Sequence, residues 1–372
     1  MTGRERFLKV MDFEQPDQLP NYELAAWPQA VERWIKEGMP QDMAYLNWFE
    51  GDPYFKLEPR DFAHINVGVV PAFEYEVLEE DERYIVARGV SGIVTKALKE
   101  GTVHGGRMCM DQFISHPVTD RKSFLEIKKR YNPDSIIRYP VWWDREVRAW
   151  KDRPEPLCLL GNGTFGLYSQ LRSWVGTEEI SYLFYDDPAF VEEMMDFNVD
   201  FLLQTTEKAL NEVNFDYFNF FEDFAGKGGP LISPQIFKKF FLPRYRRVID
   251  RFRKAGIKHF WLDSDGDPEV LIPLMLEAGI TCFWPLEQAS GMDPMRLRKK
   301  FGRDLVLAGG IDKIELSKDK KAIERELYAK IPPLFEKGGF IPHLDHTFPP
   351  EISYENFLYY LELKSRLLKG EF

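Results

Sequence analysis

From residue 157 onward, short apolar runs alternate with longer stretches whose apolar positions recur at helical spacing, a pattern that predicts strand–helix units. The runs are PLCLLGN (156–162), FDYFNFFED (215–223), KHFWLDSD (258–265), ITCFWPLE (280–287), DLVLAGGI (304–311) and GFIPHLDH (339–346). Amphipathic stretches at 187–213, 233–256, 267–279, 293–302 and 318–339 lie between them. Three of these open on an N-cap followed by proline, Asp187-Pro188, Asp267-Pro268 and Asp293-Pro294, where a missing backbone N–H costs nothing. Gly256, Gly279, Gly302 and Gly338-Gly339 close others. Regular alternation implies parallel strands with right-handed crossovers, and six such units in this length fit a (β/α)8 TIM barrel better than an open sheet.

Two further strands must come from the first 156 residues, and the candidates are 17–26 and 63–73. The stretch 73–99, FEYEVLEEDERYIVARGVSGIVTKALK, changes to a period of two and contains a turn-like EEDE, so it reads as an antiparallel meander. Residues 73–156 are therefore an N-terminal antiparallel β insertion with helical elaboration, placed to roof one face of a single barrel domain spanning 1–372. No internal repeat or low-complexity linker divides the chain.

Length and a hydrophobic content of 44% allow a large core. A net charge of −11 opposes a phosphate-backbone binder, so no nucleic-acid partner is expected. Cysteines occur at Cys109, Cys158 and Cys282 without a CxxC pair, which removes a disulfide framework and a four-thiolate zinc site and favours the cytoplasm. No apolar run approaches the roughly 18 residues of a bilayer span, and no membrane partner is expected.

In such barrels, reactive groups stand at the C-terminal ends of the strands. Those ends hold Asn66 after the second strand, Asn162 after the third, Glu222 and Asp223 after the fourth, and Asp263 and Asp265 after the fifth. Glu287 follows the sixth, and His343, Asp345 and His346 follow the eighth. Within WLDSDGDP, Asp267 reads as a helix cap. Asp263 and Asp265 on a rim that already holds Glu222 and Glu287 repel one another unless a cation or protons intervene. DSDGD imitates the start of a calcium loop, but the glutamate at the loop's twelfth position is missing, so an EF-hand is rejected. With six histidines in the chain, two of them in HLDH, at least one is a candidate ligand or acid/base group. The aromatic segments 47–55, 139–150, 215–224 and 238–245 supply core packing and surfaces for a flat ligand.

These residues carry a resemblance. The opening RERFLKVMDFEQPDQLP, VVPAFEYEV, GNGTFGLYSQLRSWVG, FLPRYRRVID with KHFWLDSDGD, LAGGIDK and the close GGFIPHLDHTFPPEISYENFLYYLE are similar to the uroporphyrinogen decarboxylase superfamily, which includes corrinoid-dependent methyltransferases. The decarboxylase pattern fails where its chemistry lies. An arginine-rich loop after the first strand is replaced by NYELAAWPQ, and the catalytic aspartate five residues before Pro71 is replaced by Asn66. Against the thiol-methylating members, the three zinc-ligand positions fall on Asp263, Asp265 and His346, with every thiolate lost.

The resemblance thus implies the O-demethylase branch: a methyltransferase moving a methyl group from a methoxylated donor, an aryl methyl ether first, or from another small methylated substrate, to cob(I)alamin. That cobalamin is carried by a partner corrinoid protein; a homo-oligomer is also compatible. On this reading a divalent metal, zinc or a harder ion, sits on Asp263, Asp265 and His346. Glu222, Asp263, His343 and His346 are catalytic, and Asn66, Asn162 and Glu287 bind substrate. The alternatives are a decarboxylase and a ligand-binding barrel without turnover.

Overall fold

The six later runs become strands of one curled parallel sheet in a computed structural model that describes residues 1–41 and 51–372. In chain order the strands are β1 (Asp61–Phe62), an antiparallel set β2 (Glu76–Glu80), β3 (Tyr84–Arg88), β4 (Val94–Leu98) and β5 (Gln112–Ser115), then β6 (Leu157–Cys158) and β7 (Tyr217–Phe221). A small hairpin, β8 (Ala225–Gly226) and β9 (Gly229–Pro230), precedes β10 (His259–Asp263), β11 (Cys282–Trp284), β12 (Val306–Ala308) and β13 (Phe340–Ile341). Seven of them pair in parallel in the order β1-β6-β7-β10-β11-β12-β13, and β2 to β5 form the separate insertion. Helices such as Pro188–Glu212, Leu242–Lys254 and Lys320–Lys337 connect the parallel strands. Asp187 and Asp293 cap their helices as expected, whereas Asp267 accepts from Glu269 N at 3.0 Å and caps only a short 3-10 turn. Among the described residues no helix is long and apolar enough to cross a membrane.

The expected first two strands are corrected. The parallel strand falls at Asp61–Phe62, before 63–73, because the carbonyls of Asn66 and Gly68 accept from the buried guanidinium of Arg138 instead of from a neighbouring strand. Segment 17–26 forms no strand; among the described residues it makes an isolated parallel bridge, Ala26 to Phe348. It nevertheless joins the two edges of the sheet: Glu58 N donates to Asn21 O at 2.9 Å on one side, and Phe348 N donates to Ala25 O at 2.9 Å on the other. A fully buried ion pair, Glu23 to Lys364 at 2.5 Å, pins the segment to the helix Tyr354–Leu367.

Inside the ring, register assigns each residue its layer. Phe221, Asp263 and Trp284 are cross-strand partners at the C-terminal ends, and Asn219, Trp261 and Cys282 are partners one layer below. At the opposite end, Phe7 of the helix Gly3–Met11 packs on Tyr217 and Trp261, with centroids at 5.0 and 5.8 Å. The interior is thus closed from below, and access is left to the C-terminal face. Of the aromatic segment 47–55, residues 47–50 lie outside the described residues; Phe55 is buried in the core.

Candidate active site

At that face lies a cavity of about 540 Å³. Its walls include Phe62, Phe221 and Trp284, and its polar lining is Asn162, Thr164, Asp223, Asp263, Asp265, His346 and Thr347. No lysine or arginine lines it among the described residues, and the stretch 42–50, DMAYLNWFE, contains neither.

Asp263 ends β10, facing inward with Phe221. The chain then turns: Ser264 N donates to Trp284 O at 3.1 Å, and Asp265 N donates to the Asp223 carboxylate at 3.4 Å. Gly266 allows the turn to close, with φ of +77° and its Cα so near Ala225 that an added Cβ would stand 2.6 Å from that residue's carbonyl. Asp223 itself adopts φ of +45°, a strain of order 1–3 kcal/mol for a residue with a Cβ, while presenting its carboxylate to Asp265. His346 stands with Nε2 3.6 Å from Asp265 Oδ2 and Nδ1 2.9 Å from Thr347 Oγ1. Asn162 is held through Oδ1 by Asn219 at 2.8 Å.

Burial, then the charges of Asp223 and Asp265, holds the Asp263 carboxyl well above the ordinary carboxylate range. Burial also raises Asp265, with His346 working against it and Asp223 and Glu287 adding to it. Asp263 therefore retains a proton where an isolated aspartate would be ionised.

Asp263, Asp265, His346 and Asn162 are thus brought together as the sequence predicts, while the other expected site residues stand elsewhere. Glu222 points into the helix layer, where its carboxylate accepts from Leu167 N at 2.8 Å, Tyr168 N at 2.7 Å and the Tyr245 hydroxyl. Burial pushes it up to about 7 against those hydrogen bonds, and its role is to hold the start of the helix Tyr168–Val175. His343 is buried beneath Trp284, at 6.0 Å between centroids; its Nδ1–H donates to Leu344 O at 2.7 Å. Burial lowers it to about 3, so it is a neutral group of the barrel interior. Glu287 accepts from Gly266 N and Ser290 Oγ, each at 3.0 Å, and steadies the aspartate turn without lining the cavity. Asn66 is exposed and closes an Asx turn onto Gly68 N at 2.9 Å. Asn66→Ala should accordingly leave kcat within about tenfold of wild type, or about 1.4 kcal/mol of barrier; a steady-state assay giving a thousandfold loss in folded protein would return Asn66 to the site.

Asp223 is the residue that sequence reasoning placed on the rim but left out of the site. Its signal was the parity of 219, 221 and 223, which face inward, against 218, 220 and 222, of which Phe218 and Phe220 pack on Phe252 and Tyr245 of the helix layer. Asp263, Asp265 and His346, the residues expected to hold a metal, line this one cavity, with His346 Nε2 3.6 Å from Asp265 Oδ2.

The family described as "Uroporphyrinogen decarboxylase (URO-D)" matches residues 147–366, more than half of the chain. A curated relative, "Uroporphyrinogen decarboxylase" of Thermus thermophilus, is 24% identical over 258 residues, covering 67% of this chain and 70% of that protein. A solved structure, a methyltransferase from Methanosarcina mazei, is alike in fold over 98% of this chain and 99% of that one, with 14% identity and a TM-score of 0.60.

Proposed function

Since the chain belongs to the uroporphyrinogen decarboxylase family, we propose that it is a methyltransferase of that superfamily, acting on a small methoxylated donor, an aryl methyl ether first. The acceptor in this reading is cob(I)alamin on a separate corrinoid protein. The observation that carries the reading is the charge of the cavity: among the described residues Asp223, Asp263 and Asp265 line it and no lysine or arginine does. A tetrapyrrole bearing many carboxylates would meet repulsion there, whereas a neutral ether would not. The volume is in the range of small-molecule sites, and Phe62, Phe221 and Trp284 offer apolar faces to a ring.

A docked corrinoid supplies the nucleophile that receives the methyl group. The work of this chain is on the leaving oxygen. Asp263, protonated by virtue of its burial, donates to the ether oxygen as the carbon–oxygen bond breaks, so that a neutral phenol departs instead of a phenolate. General-acid assistance of this kind is worth about 10²–10⁴ in rate. Asp223 and Asp265 keep the proton on the cluster, and His346, half-buried beside Asp265, links it to solvent.

The test is anaerobic incubation with cob(I)alamin and a panel of methoxyarenes, following loss of the cob(I)alamin absorbance, with uroporphyrinogen supplied in parallel. Demethylated phenol and no coproporphyrinogen is the expected result. Coproporphyrinogen formation without any methyl transfer would replace this reading by decarboxylation.

A further inference from the structure

Asn219 stands among the aromatic rings of β7, YFNFF, buried in the barrel interior one layer below Phe221. An amide in such a place is costly unless its hydrogen bonds are made, and both of its ends are engaged. Trp284 Nε1 donates to Asn219 Oδ1 at 2.9 Å, and Asn219 Nδ2 donates to Asn162 Oδ1 at 2.8 Å. An indole N–H can only donate, so the end of Asn219 that faces Trp284 is its oxygen and the end that faces Asn162 is its nitrogen. That nitrogen in turn requires the oxygen of Asn162. Trp284 therefore dictates the orientation of both amides.

The parts of this chain are held in place. Trp284 is 2% exposed and packs on Trp261 and His343, each at 6.0 Å between centroids. The loop that carries Asn162 is fixed to β7: Phe221 N donates to Phe165 O at 2.8 Å, and a Cβ added to Gly166 would stand 1.8 Å from Phe221 O. Thr164 Oγ1 closes the turn on Gly161 O at 2.6 Å. With Oδ1 committed to Asn219, the end of Asn162 left for the cavity is Nδ2, and among the described residues no acceptor is paired with it. β6 and β10 flank β7, so Asn162 and Asp263 face the cavity from either side of Phe221.

We propose that Trp284 and Asn219 are positioning residues that lock the Asn162 amide with its N–H toward the cavity, and that Asn162 donates this hydrogen to the ether oxygen of the ligand, a second donor alongside Asp263. The polarity of the amide stands by itself; that the acceptor is an ether oxygen rests on the methyl-transfer reading. An ether oxygen has a lone pair for each donor. A hydrocarbon of the same shape would leave the N–H of Asn162 without a partner, at the cost of its lost hydration.

The experiment is equilibrium binding of methoxybenzene, and of ethylbenzene with CH2 in place of the oxygen, to the full chain, followed by ligand NMR. The ratio of the two affinities should be about 3–10-fold higher in wild type than in Asn162→Ala, the range of a neutral hydrogen bond. Asn162 is exposed on its loop, so that variant keeps the fold. Asn219→Asp supplies a readout that a merely structural role would not move. Ionised, the new carboxylate has no hydrogen for Asn162, whose amide then turns over and presents oxygen to the ether; protonated, it donates as the amide did. Arg60, which lines the same interior void as Asn219, favours the ionised form. The ratio should fall to the Asn162→Ala value or below as the new carboxyl ionises and return at lower pH, each point read against wild type at the same pH. Damage to packing would weaken both probes alike and leave the ratio unchanged. Equal ratios in wild type and Asn162→Ala overturn the proposal, as does an Asn219→Asp ratio that follows wild type across the ionisation of the new carboxyl. Methyl transfer by a chain whose ratio ignores Asn162 would leave the proposed function standing and remove this inference. An Asn162-dependent ratio without methyl transfer would do the reverse.

Discussion

Asp263→Asn should lower turnover by about 10²–10⁴-fold, the range of a lost general acid, while making the folded protein more stable at neutral pH. Both effects follow from one proton. In the unfolded chain Asp263 ionises near the ordinary value of 3.8, whereas in the fold burial and the neighbouring Asp223 and Asp265 keep it protonated far above that. Between those two values the folded state binds more protons than the unfolded state, so stability is full below the unfolded pKa and declines as pH rises toward the folded one. Asparagine has no proton to lose. The stability advantage of the variant, read by urea denaturation at a series of pH values, should therefore be small near pH 4 and grow upward from there.

Turnover of wild type should fall as pH rises through the titration of Asp263, because the acid form is the active one. Asp265→Asn should move that limb to lower pH, since removing one charge makes Asp263 easier to ionise. An activity loss below tenfold in Asp263→Asn, or a stability difference flat with pH, would sink the acid role. Turnover abolished by chelators in wild type would favour a cation over a proton.

Lys364→Met should cost about 3–5 kcal/mol of stability, the penalty for leaving a buried charge without its partner. Both members of the Glu23–Lys364 pair have side chains with 0% exposure, at 2.5 Å. Glu23 also accepts from the Tyr360 hydroxyl at 2.5 Å and Leu344 N at 3.1 Å, and Lys364 donates to Tyr22 O at 2.7 Å. The pair thus fastens segment 17–26, which joins the two edges of the sheet, to the last helix. Replacing both partners by apolar residues, Glu23→Leu with Lys364→Met, should recover much of the loss, because no charge then remains buried. Urea denaturation of the single and double variants reads this directly. A single-variant cost below about 1 kcal/mol would mean that water reaches the pair.

The later strands and helices were legible because their signals are local. Runs such as KHFWLDSD and the Asp-Pro helix starts declare themselves within a few residues, and strand ends then locate the rim. The first two strands were not legible. Segment 17–26 is held by partners more than 300 residues away, Phe348, Tyr360 and Lys364, and a strand at 63–73 was pre-empted by Arg138 taking its carbonyls.

On the site, the sequence by itself determined that Asn162, Asp263, Asp265 and His346 stand at one end of a barrel, because position along a strand is a property of the local chain. It could not decide between Glu222 and Asp223. Four of the five residues of β7, YFNFF, are aromatic, as befits a parallel strand covered on both sides, so the single polar Asn219 is a slight sign of which face is inward. Only the register of β7 with β10, and the left-handed turn at Asp223, send one carboxylate into the cavity and the other under a helix. The same holds for protonation. Whether an aspartate keeps its proton depends on burial and on charges brought from other strands, which are sums over three-dimensional neighbours that no single run of sequence contains.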